Sequence, residues 1–241
     1  MYGTDLLKYL ISKSTYAVFL GGAGVSTESG IPDFRSETGL YSEKYNNLSP
    51  EIILSHDFFV SDTQTFYDYY KNNMLFPAAK PNAAHIALRK LEERGILKAI
   101  ITQNIDGLHQ LAGSKNVIEL HGSVIKNECL RCGKVFDMKD VIKIKGVPCC
   151  DVCGGIIKPK VVLYGENLND QVISDAINNI SRADLLIVGG TSLMVNPAAS
   201  FIKFFRGKHL VIINKTPTPY DGYAELVIRE PIAEVLKKAV E

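Results

Sequence analysis

The sequence predicts an α/β fold in which a doubly wound parallel sheet carries two insertions. Three observations predict it. Short runs rich in Val and Ile alternate with segments of helical length, glycine or polar turns close most of these runs, and all the cysteines lie within one short stretch. Alternating strands and helices are typical of a parallel sheet that is covered by helices on both faces.

The predicted strands are short apolar runs that end at a glycine, an asparagine or a polar turn. Their length and their Val and Ile content suit strands that are buried on both faces. They are Tyr16–Leu20, Ala99–Thr102, Val117–Leu120, Val161–Leu163, Leu185–Val188 and Leu210–Ile213. Together they predict a Rossmann-like sheet.

Helices are predicted between these strands. Residues 1–15 form an amphipathic pattern, with Leu6, Leu7, Leu10 and Ile11 on one face. Further helices are expected at Pro81–Arg94, Asp170–Ile180, Asn196–Phe205 and Pro231–Val240. In the last of these, Pro231 stands at the first helical position, which proline favours.

Two stretches interrupt the alternation. Residues 38–80 carry many Tyr, Phe and Asn and little strand pattern, so they predict a helical insertion. Residues 122–157 hold the cysteines together with glycines and turns, and they have little apolar core of their own. The sheet domain would then comprise residues 1–37, 81–121 and 158–241.

The overall composition argues against several classes of protein. The 27 basic and 26 acidic residues give a formal net charge of +1, so no nucleic-acid partner is expected. No apolar run is long enough to cross a membrane, and the N-terminus lacks the pattern of a signal peptide, so no membrane association is expected. We therefore expect a cytoplasmic protein.

The cysteines have the spacing of a metal site. Cys129 and Cys132 form one C-x-x-C pair, and Cys150 and Cys153 form a second. Two such pairs supply the four thiolates of a structural zinc ion, with no coordination position left for water, so these residues predict a small zinc-binding domain. A redox dithiol is the alternative, which the pairing disfavours. Cys149 could replace Cys150 as a ligand, but the C-x-x-C spacing favours Cys150.

A glycine-rich segment, Gly21–Ser26, directly follows the first predicted strand. Glycines there let the backbone turn tightly and approach a pyrophosphate, and the hydroxyls of Ser26 and Thr27 can bind the same phosphates. The alternative is a plain turn between a strand and a helix. Because Ser26 and Thr27 occupy the region of the third glycine of the G-x-G-x-x-G motif, and no acidic residue ends the second strand, a plain dehydrogenase is a poor match.

The chain continues with a group of residues suited to binding an aromatic ring. Ile31, Asp33, Phe34 and Arg35 place an apolar side chain, a carboxylate, an aromatic ring and a guanidinium close to the phosphate loop. A ring-binding pocket beside a phosphate site needs these groups. The alternative is the solvated end of a helix.

A second polar loop, Gln103–His109, follows the strand at Ala99 and should face the same crevice, because ligands bind at the carboxyl ends of parallel strands. Its Asn104 and Asp106 can hydrogen-bond ribose hydroxyls or an amide, with Ile105 as an apolar wall between them. His121 ends the next strand beside Gly122 and is a candidate general base, although a structural hydrogen-bonding role is the alternative.

The remaining strand ends and histidines carry weaker signals. Gly190, Thr191 and Ser192 follow one strand and Asn214 follows another, so these residues should line the same crevice. His85 is expected to pack or to cap a helix. His56, His109 and His209 are expected to have no functional role.

Taken together, these residues closely resemble the sirtuins, a family of NAD⁺-dependent protein lysine deacylases, in the bacterial and archaeal type that carries a four-cysteine zinc module. The resemblance runs from Gly22 to about Leu236. The motifs that carry it are Gly22–Ser26, Gly30–Arg35, Gln103–Asp106, His121-Gly122, the two cysteine pairs, Pro159–Glu166, Gly190–Ser192 and Asn214.

The resemblance implies a role for each matching residue. His121 and Asn104 would be catalytic. The residues that would contact NAD⁺ are Gly22, Ala23, Thr27, Phe34, Arg35, Gln103, Asn104, Ile105, Asp106, His121, Gly190, Thr191, Ser192, Asn214 and Ile232. The acyl-lysine peptide would add as a strand between two edges, which contain Val162, Tyr164, Gly165, Glu166, Met194 and Val195.

The resemblance also implies the reaction, which is deacetylation of lysines on partner proteins with NAD⁺ consumed as a co-substrate and one structural zinc ion. His121 would activate a ribose hydroxyl, and the products would be lysine, nicotinamide and O-acyl-ADP-ribose.

Sirtuins that favour succinyl-lysine or malonyl-lysine resemble one another in a Tyr-x-x-Arg pair, and here Tyr67 is followed by Tyr70 in place of the arginine. Acetyl or another uncharged acyl group is therefore expected. Two alternatives remain open, an ADP-ribosyltransferase on the same scaffold and a non-catalytic binding module.

Overall fold

The structure is a computed structural model that describes residues 3–34, 36, 39–41 and 44–241. Its strands, in chain order, are β1 (Ala17–Gly21), β2 (Leu97–Thr102), β3 (Val117–Glu119), β4 (Gly122–Cys129), β5 (Val135–Asp137), β6 (Ile157–Val161), β7 (Leu185–Gly189), β8 (His209–Ile213) and β9 (Leu226–Ile228).

The helices alternate with these strands. They are α1 (Gly3–Lys13), α2 (Pro50–Ile53), α3 (His56–Ser61), α4 (Thr63–Asn73), α5 (Ala83–Glu93), α6 (Leu108–Leu111), α7 (Met138–Val141), α8 (Asp170–Arg182) and α9 (Ile232–Val240). Short 3₁₀ helices span Ala23–Val25, Thr27–Ser29, Ala198–Phe204 and Asp221–Tyr223.

The main sheet has six strands in the order β3-β2-β1-β7-β8-β9, and every described pairing in it is parallel. Numbered within the sheet alone, this is the order 3-2-1-4-5-6 of a doubly wound dinucleotide-binding fold. The predicted fold class is therefore confirmed. The order in which the chain adds strands to the sheet reverses between β1 and β7. A crevice opens at such a point, between the carboxyl ends of the two strands.

Each strand of the sheet sends alternate side chains to two hydrophobic layers. Phe19 and Ile187 pack on one face with residues of α1, α5 and α9. Leu20 and Val188 pack on the other face with α8 and the 3₁₀ helix at Ala198. Because both faces are buried, the strands show continuous apolar runs, and this is why they could be recognised in the sequence.

One predicted strand does not belong to this sheet. The run Val161–Leu163 was expected to be a parallel strand, but the strand in this region is Ile157–Val161, and it pairs antiparallel with β4 in a separate three-stranded sheet with β5. A short apolar run indicates burial without specifying which strand is its partner. Here the run continues past the strand into the crevice.

Several other elements differ from the sequence-based expectation. The helix expected over Asn196–Phe205 is the shorter 3₁₀ helix, Ala198–Phe204. Pro231 is the N-cap of α9 and not its first helical residue. The strand β9 was not predicted, because its three residues form too short an apolar run to stand out.

The helical insertion and the cysteine-containing region share one hydrophobic cluster. Phe66 and Tyr67 of α4 pack in it together with Val124 of β4 and with Val161. The cysteine region adds only a small cluster of its own, built on Cys129, Val141, Cys150 and Ile157. The limits of the three domains stay a prediction. In the described part of the chain, no helix has the length and apolar character needed to span a bilayer.

Candidate active site and metal site

Two loops meet at the crevice between β1 and β7, namely the first loop, Gly21–Ser26, and the loop that follows β7 at Gly190, Thr191 and Ser192, here called the third loop. The amide of Gly22 donates to the carbonyl of Gly189 at 3.2 Å, and the amide of Gly24 donates to the carbonyl of Gly190 at 2.8 Å. A Cβ atom added to Gly24 would lie 2.8 Å from the Cα atom of Gly190, which is closer than side chains pack. These glycines are therefore needed for the close approach of the two loops.

Ser26 joins the first loop to the second. Its hydroxyl donates to Oδ2 of Asp106 at 2.7 Å and accepts from Nδ2 of Asn104 at 3.1 Å. Ser26 is 1% exposed. The sequence suggested a phosphate contact for this hydroxyl, and that contact stays a prediction; within the fold, the hydroxyl hydrogen is directed to Asp106. Ser26 orients the two residues that were expected to hold the ribose and the amide.

Gln103 joins the second loop to the other two. Its backbone amide donates to the carbonyl of Gly21 at 2.9 Å, and its side-chain Nε2 donates to the hydroxyl of Thr191 at 3.1 Å. The same hydroxyl of Thr191 accepts from the amide of Leu193 at 3.2 Å. The three loops therefore form one hydrogen-bonded unit around the crevice.

His121 is placed to act as a base. Its Nδ1 lies 2.9 Å from the carbonyl oxygen of Gln103, and because a carbonyl only accepts, Nδ1 carries the hydrogen and Nε2 is left with a lone pair. Burial lowers the pKa of His121 from its ordinary value of 6.5, while the hydrogen bond to Gln103 acts in the opposite direction. The imidazole is therefore neutral near pH 7.

A cavity of about 1180 Å³ lies over these loops. Most of the residues that the sequence placed at the site line it, although their individual roles stay predictions. The lining includes Gly22, Ala23, Thr27, Phe34, Gln103, Asn104, Ile105, Asp106, His121, Gly190, Thr191, Ser192, Asn214 and Ile232, together with Val162, Tyr164, Gly165, Glu166 and Val195. Met194 is not among the lining residues and is 63% exposed. Arg35 lies outside the described residues.

The shape and chemistry of this cavity suit a dinucleotide together with a second ligand. Cavities for a single drug-sized ligand usually measure about 300–1,000 Å³, so this one exceeds that range. One side is built from glycine backbone and polar side chains at the strand ends, which suits phosphates and ribose. The lining also contains an apolar wall, made of Leu54, Met74 and Phe76, to which the sequence did not point, and of Leu163 from the segment that was expected to flank the peptide.

Asn82 is a further residue that sequence reasoning missed. Its side-chain Nδ2 donates to the carbonyl of Val25 at 2.8 Å and to the hydroxyl of Ser29 at 3.0 Å, while its Oδ1 caps α5. His85 completes this capping box by accepting from the amide of Asn82, which confirms the expected capping role. An asparagine at the second position of the helix predicted over Pro81–Arg94 was the signal available in the sequence, because asparagine is favoured at the N-cap.

His85 and His109 form a buried pair behind the first two loops. Their ring centroids lie 4.7 Å apart. Burial lowers the pKa of His85 to about 4, although Asp106 acts in the opposite direction. Burial, reinforced by His85, lowers the pKa of His109 to about 3. Both rings are therefore neutral at physiological pH.

Acid is expected to destabilise the fold through this pair. Because both folded-state pKa values lie below the unfolded value of about 6.5, the unfolded chain takes up protons first as the pH falls. The stability that the neutral pair contributes is complete above about pH 6.5 and is lost as the pH falls toward 4. The loss is on the order of 3 kcal/mol per histidine.

Urea unfolding at a series of pH values measures this dependence. The variant His109→Phe should show a shallower decline in the free energy of unfolding between pH 6.5 and 4 than the wild type. His209→Phe, at the partly exposed start of β8, is the matched control, because it makes the same replacement at a histidine outside the buried pair. Equal slopes for His109→Phe and the wild type would show that the pair does not govern acid stability.

Glu166 organises the segment that follows β6. Its carboxylate accepts from the amide of Leu163 at 2.9 Å and from Nζ of Lys158 at 3.1 Å, and it lies 3.0 Å from Nδ1 of His56. Burial raises the pKa of Glu166, but these three partners outweigh that effect and lower it overall. The ionised side chain is thus engaged within the fold. The hydroxyl of Tyr164 in this segment contacts the hydroxyl of Tyr41, and both residues line the cavity.

The cysteine region contains a candidate zinc site. The Sγ atoms of Cys129, Cys132, Cys150 and Cys153 all lie within 4.8 Å of one another. Two of the separations are 3.4 Å and 3.7 Å. Sulfurs at the corners of a tetrahedron around zinc would be about 3.8 Å apart, so the four thiols fit one ion. Cys150 belongs to this cluster and Cys149 does not, which resolves the choice that the sequence left open.

The chain matches a known family and close relatives. The model of the Sir2 family matches residues 22–197. The NAD-dependent protein deacetylase of Clostridium acetobutylicum is 58% identical over 237 residues, which cover 97% of this chain and 96% of the relative. The protein of the same description from Staphylococcus aureus strain Mu50 is 46% identical, with 97% of this chain and 96% of the relative covered.

Solved structures with the same fold contain relevant ligands. A Sir2 protein with a deacetylated p53 peptide and 3'-O-acetyl ADP ribose is 42% identical and superposes with a TM-score of 0.91 over 100% of both chains. A Sir2 protein with a p53 peptide and NAD⁺ is 44% identical, with a TM-score of 0.86 over 99% of this chain and 97% of the other.

Proposed function

The chain belongs to the Sir2 family, and from this premise we propose that it is an NAD⁺-dependent protein deacetylase that transfers the acetyl group of acetyl-lysine to ADP-ribose and releases nicotinamide. The observation that carries the proposal is the position of His121. This neutral imidazole lines the same cavity as Asn104 and Asp106, at the crevice where the fold binds dinucleotides.

NAD⁺ contains a glycosidic bond between a ribose and nicotinamide, which is a good leaving group. Cleavage of this bond would make the ribose carbon that carried nicotinamide electrophilic. The protein's task is to position this bond and to exclude water from it. We assign Asp106 to the nicotinamide carboxamide, with Ser26 holding its carboxylate in place. Asn104 and Gln103 hold the ribose, and Ile105 and Phe34 supply apolar surface that excludes water.

His121 then acts as general base. Its Nε2 takes the proton of a ribose hydroxyl, which becomes the nucleophile that completes transfer of the acetyl group. The carbonyl of Gln103 keeps the hydrogen on Nδ1, so the lone pair stays on Nε2. The lowered pKa keeps this base unprotonated at neutral pH.

The acyl-lysine peptide is assigned to the edge at residues 162–167. Tyr164 already uses its backbone there, since its amide donates to Leu54 and its carbonyl accepts from His56. Within the described residues, the amides of Gly165 and Asn167 make no hydrogen bond, so they are available to pair with an added strand. Glu166, which was assigned to substrate binding, contributes by fixing this edge through Lys158 and Leu163.

Product analysis tests this function. The purified protein is incubated with NAD⁺ and an acetyl-lysine peptide, and the products are identified by mass. Deacetylated peptide, nicotinamide and O-acetyl-ADP-ribose in equal amounts are expected. ADP-ribose attached to the peptide would instead identify an ADP-ribosyltransferase, and no consumption of NAD⁺ would identify a non-catalytic binding protein.

The acyl group is expected to be uncharged. Between residues 44 and 80 the described residues that line the cavity are Leu54, Tyr70, Met74 and Phe76, so the insertion contributes no cation to this wall. Burying a carboxylate there without a partner would be costly. We predict that kcat/KM on an acetyl-lysine peptide exceeds that on the same peptide with succinyl-lysine by roughly 100-fold or more.

Steady-state kinetics on the two peptides at one NAD⁺ concentration provide the comparison. The unmodified peptide, which has the same sequence, is the blank. A succinyl peptide that is turned over as fast as the acetyl peptide would contradict this assignment of the wall. We also place the protein in the cytoplasm, because its cysteines form a four-thiol zinc site and no disulfide, which is typical of reducing compartments.

A further inference from the structure

Lys158 is a charged residue that lies inside the fold beside the peptide edge. It belongs to β6, its side chain is 16% exposed, and it is not among the residues that line the cavity. The next lysine of the strand, Lys160, is 51% exposed and forms an ion pair with Glu128. Because burying an ammonium group is costly unless it is well paired, Lys158 is expected to have a specific role in the fold.

The ammonium group of Lys158 joins the two ends of one turn. It donates to the carbonyl of Val161 at 3.1 Å and to Oε2 of Glu166 at 3.1 Å. The same Oε2 atom accepts from the amide of Leu163 at 2.9 Å, and the amide of Glu166 donates to the carbonyl of Leu163 at 3.0 Å. The chain between Val161 and Glu166 is therefore fixed by one ammonium–carboxylate pair.

The helical insertion holds the other oxygen of this carboxylate. Nδ1 of His56 lies 3.0 Å from Oε1 of Glu166, and the backbone amide of His56 donates to the carbonyl of Tyr164 at 2.9 Å. Glu166 thus has one partner from β6 and one from the start of α3. The side chain of His56 is half exposed, whereas that of Lys158 is mostly buried, so water screens the contact with Lys158 less.

We propose that Lys158 is a positioning residue for the acyl-lysine peptide, and that it sets the affinity for this peptide through Glu166 without touching it. The inference rests on the proposed deacylase function, because it takes residues 162–167 as the edge to which the peptide is added. An edge that must first be ordered binds an added strand more weakly, and Lys158 supplies this order in advance. The loops assigned to NAD⁺ follow other strands, so NAD⁺ binding should not depend on Lys158.

Replacing Lys158 with methionine tests the proposal. Methionine keeps an apolar stem of similar length but removes the charge and both hydrogen bonds. We expect the Kd of a fluorescently labelled acetyl-lysine peptide, measured by anisotropy, to rise about 10-fold, which corresponds to the loss of one charge-assisted hydrogen bond. KM for the peptide should rise in parallel, while KM for NAD⁺ and kcat at saturating peptide stay within about twofold of the wild type.

Lys160→Met is the matched control, because it makes the same replacement on the same strand at an exposed ion pair. It should leave the peptide Kd and both KM values at their wild-type levels. Lys158→Arg keeps the charge and can donate to the same two acceptors, so it should restore most of the affinity for the peptide. A role in packing alone would not predict this rescue.

Glu166→Gln removes the other partner of the contact while keeping a side chain of nearly the same shape. It should raise the peptide Kd by a similar factor. The double variant K158M/E166Q should bind the peptide about as well as either single variant, because the two residues act through one contact. If Lys158→Met does not fold, Glu166→Gln and Lys158→Arg decide the question by themselves.

An unchanged peptide Kd in Lys158→Met and Glu166→Gln would overturn the inference. An equal loss of NAD⁺ binding and peptide binding would also overturn it, since it would show a general structural role, as would a Lys158→Arg protein that binds as weakly as Lys158→Met. In each of these cases the wild type still deacetylates the peptide. If the wild type does not turn over the acetyl peptide with NAD⁺, the proposed function fails instead.

Discussion

Replacing His121 with alanine is expected to lower kcat for peptide deacetylation by about 100- to 10,000-fold, which is the usual contribution of a general base. The reason is that in the described site His121 is the neutral imidazole in the cavity lining, oriented by Gln103. Formation of deacetylated peptide, followed by chromatography at saturating NAD⁺ and peptide, measures the loss. Binding of NAD⁺ should change much less than kcat.

His209→Ala is the matched control for this variant. His209 begins β8 at the end of the sheet opposite the cavity and pairs with Glu225, so its removal should leave kcat within about twofold of the wild type. The pH profile adds a second check. Activity needs the unprotonated imidazole, so kcat/KM should fall as the pH drops through a midpoint below 6.5. Full turnover by His121→Ala would remove His121 from the catalytic role.

Removing one zinc ligand should cost several kcal/mol in the free energy of unfolding, because structural zinc sites contribute directly to folding. Cys150→Ala is expected to lose the ion and to unfold its surrounding region. Cys150 packs with Cys129, Val141 and Ile157 in a cluster too small to be stable by itself. Metal content by atomic absorption and thermal unfolding by circular dichroism measure the two effects.

Activity should fall together with stability in Cys150→Ala. Ile157 begins β6, and the same strand leads to Val161 and Leu163, which line the cavity. Cys149→Ala is a close control, since it removes the adjacent thiol that lies outside the cluster. A Cys150→Ala protein that retains one zinc ion and wild-type stability, while Cys149→Ala loses both, would show that the ligand assignment is wrong.

The main sheet and its crevice could be predicted because the relevant signals are local. The strands β1, β7 and β8 are buried on both faces, so they appear as continuous apolar runs. The carboxyl ends of parallel strands meet at one edge, so the residues that follow them were expected to converge. Gln103, Asn104, His121 and Thr191 do line one cavity.

The features that could not be predicted depend on contacts between distant residues. Ser26 lies 80 positions before its partner Asp106, and nothing in the local motif distinguishes this contact from a phosphate contact. The run Val161–Leu163 was assigned to the wrong sheet, because its partner strand β4 lies in the cysteine region. The pattern of buried Ile157, Pro159 and Val161 around two lysines was the signal of a half-buried strand.

The sequence also could not predict which residues form the apolar part of the cavity wall. Leu54, Met74 and Phe76 belong to an insertion that could be recognised only as helical, and tertiary packing decides which of its residues meet the cavity. The same holds for Tyr70. Its place three residues after Tyr67 indicated that no arginine stands there, but only the structure shows that its hydroxyl is buried and has no hydrogen-bond partner among the described residues.

The central claim is that a lysine-bound acetyl group and NAD⁺ react with each other in this one cavity. Nicotinamide release, measured with the purified protein at fixed NAD⁺ and increasing acetyl-lysine peptide, tests it most directly. We expect release to rise with the acetylated peptide and to saturate, in a one-to-one ratio with deacetylated peptide, while the unacetylated peptide has no effect. Release that is the same with and without acetylated peptide would contradict the claim.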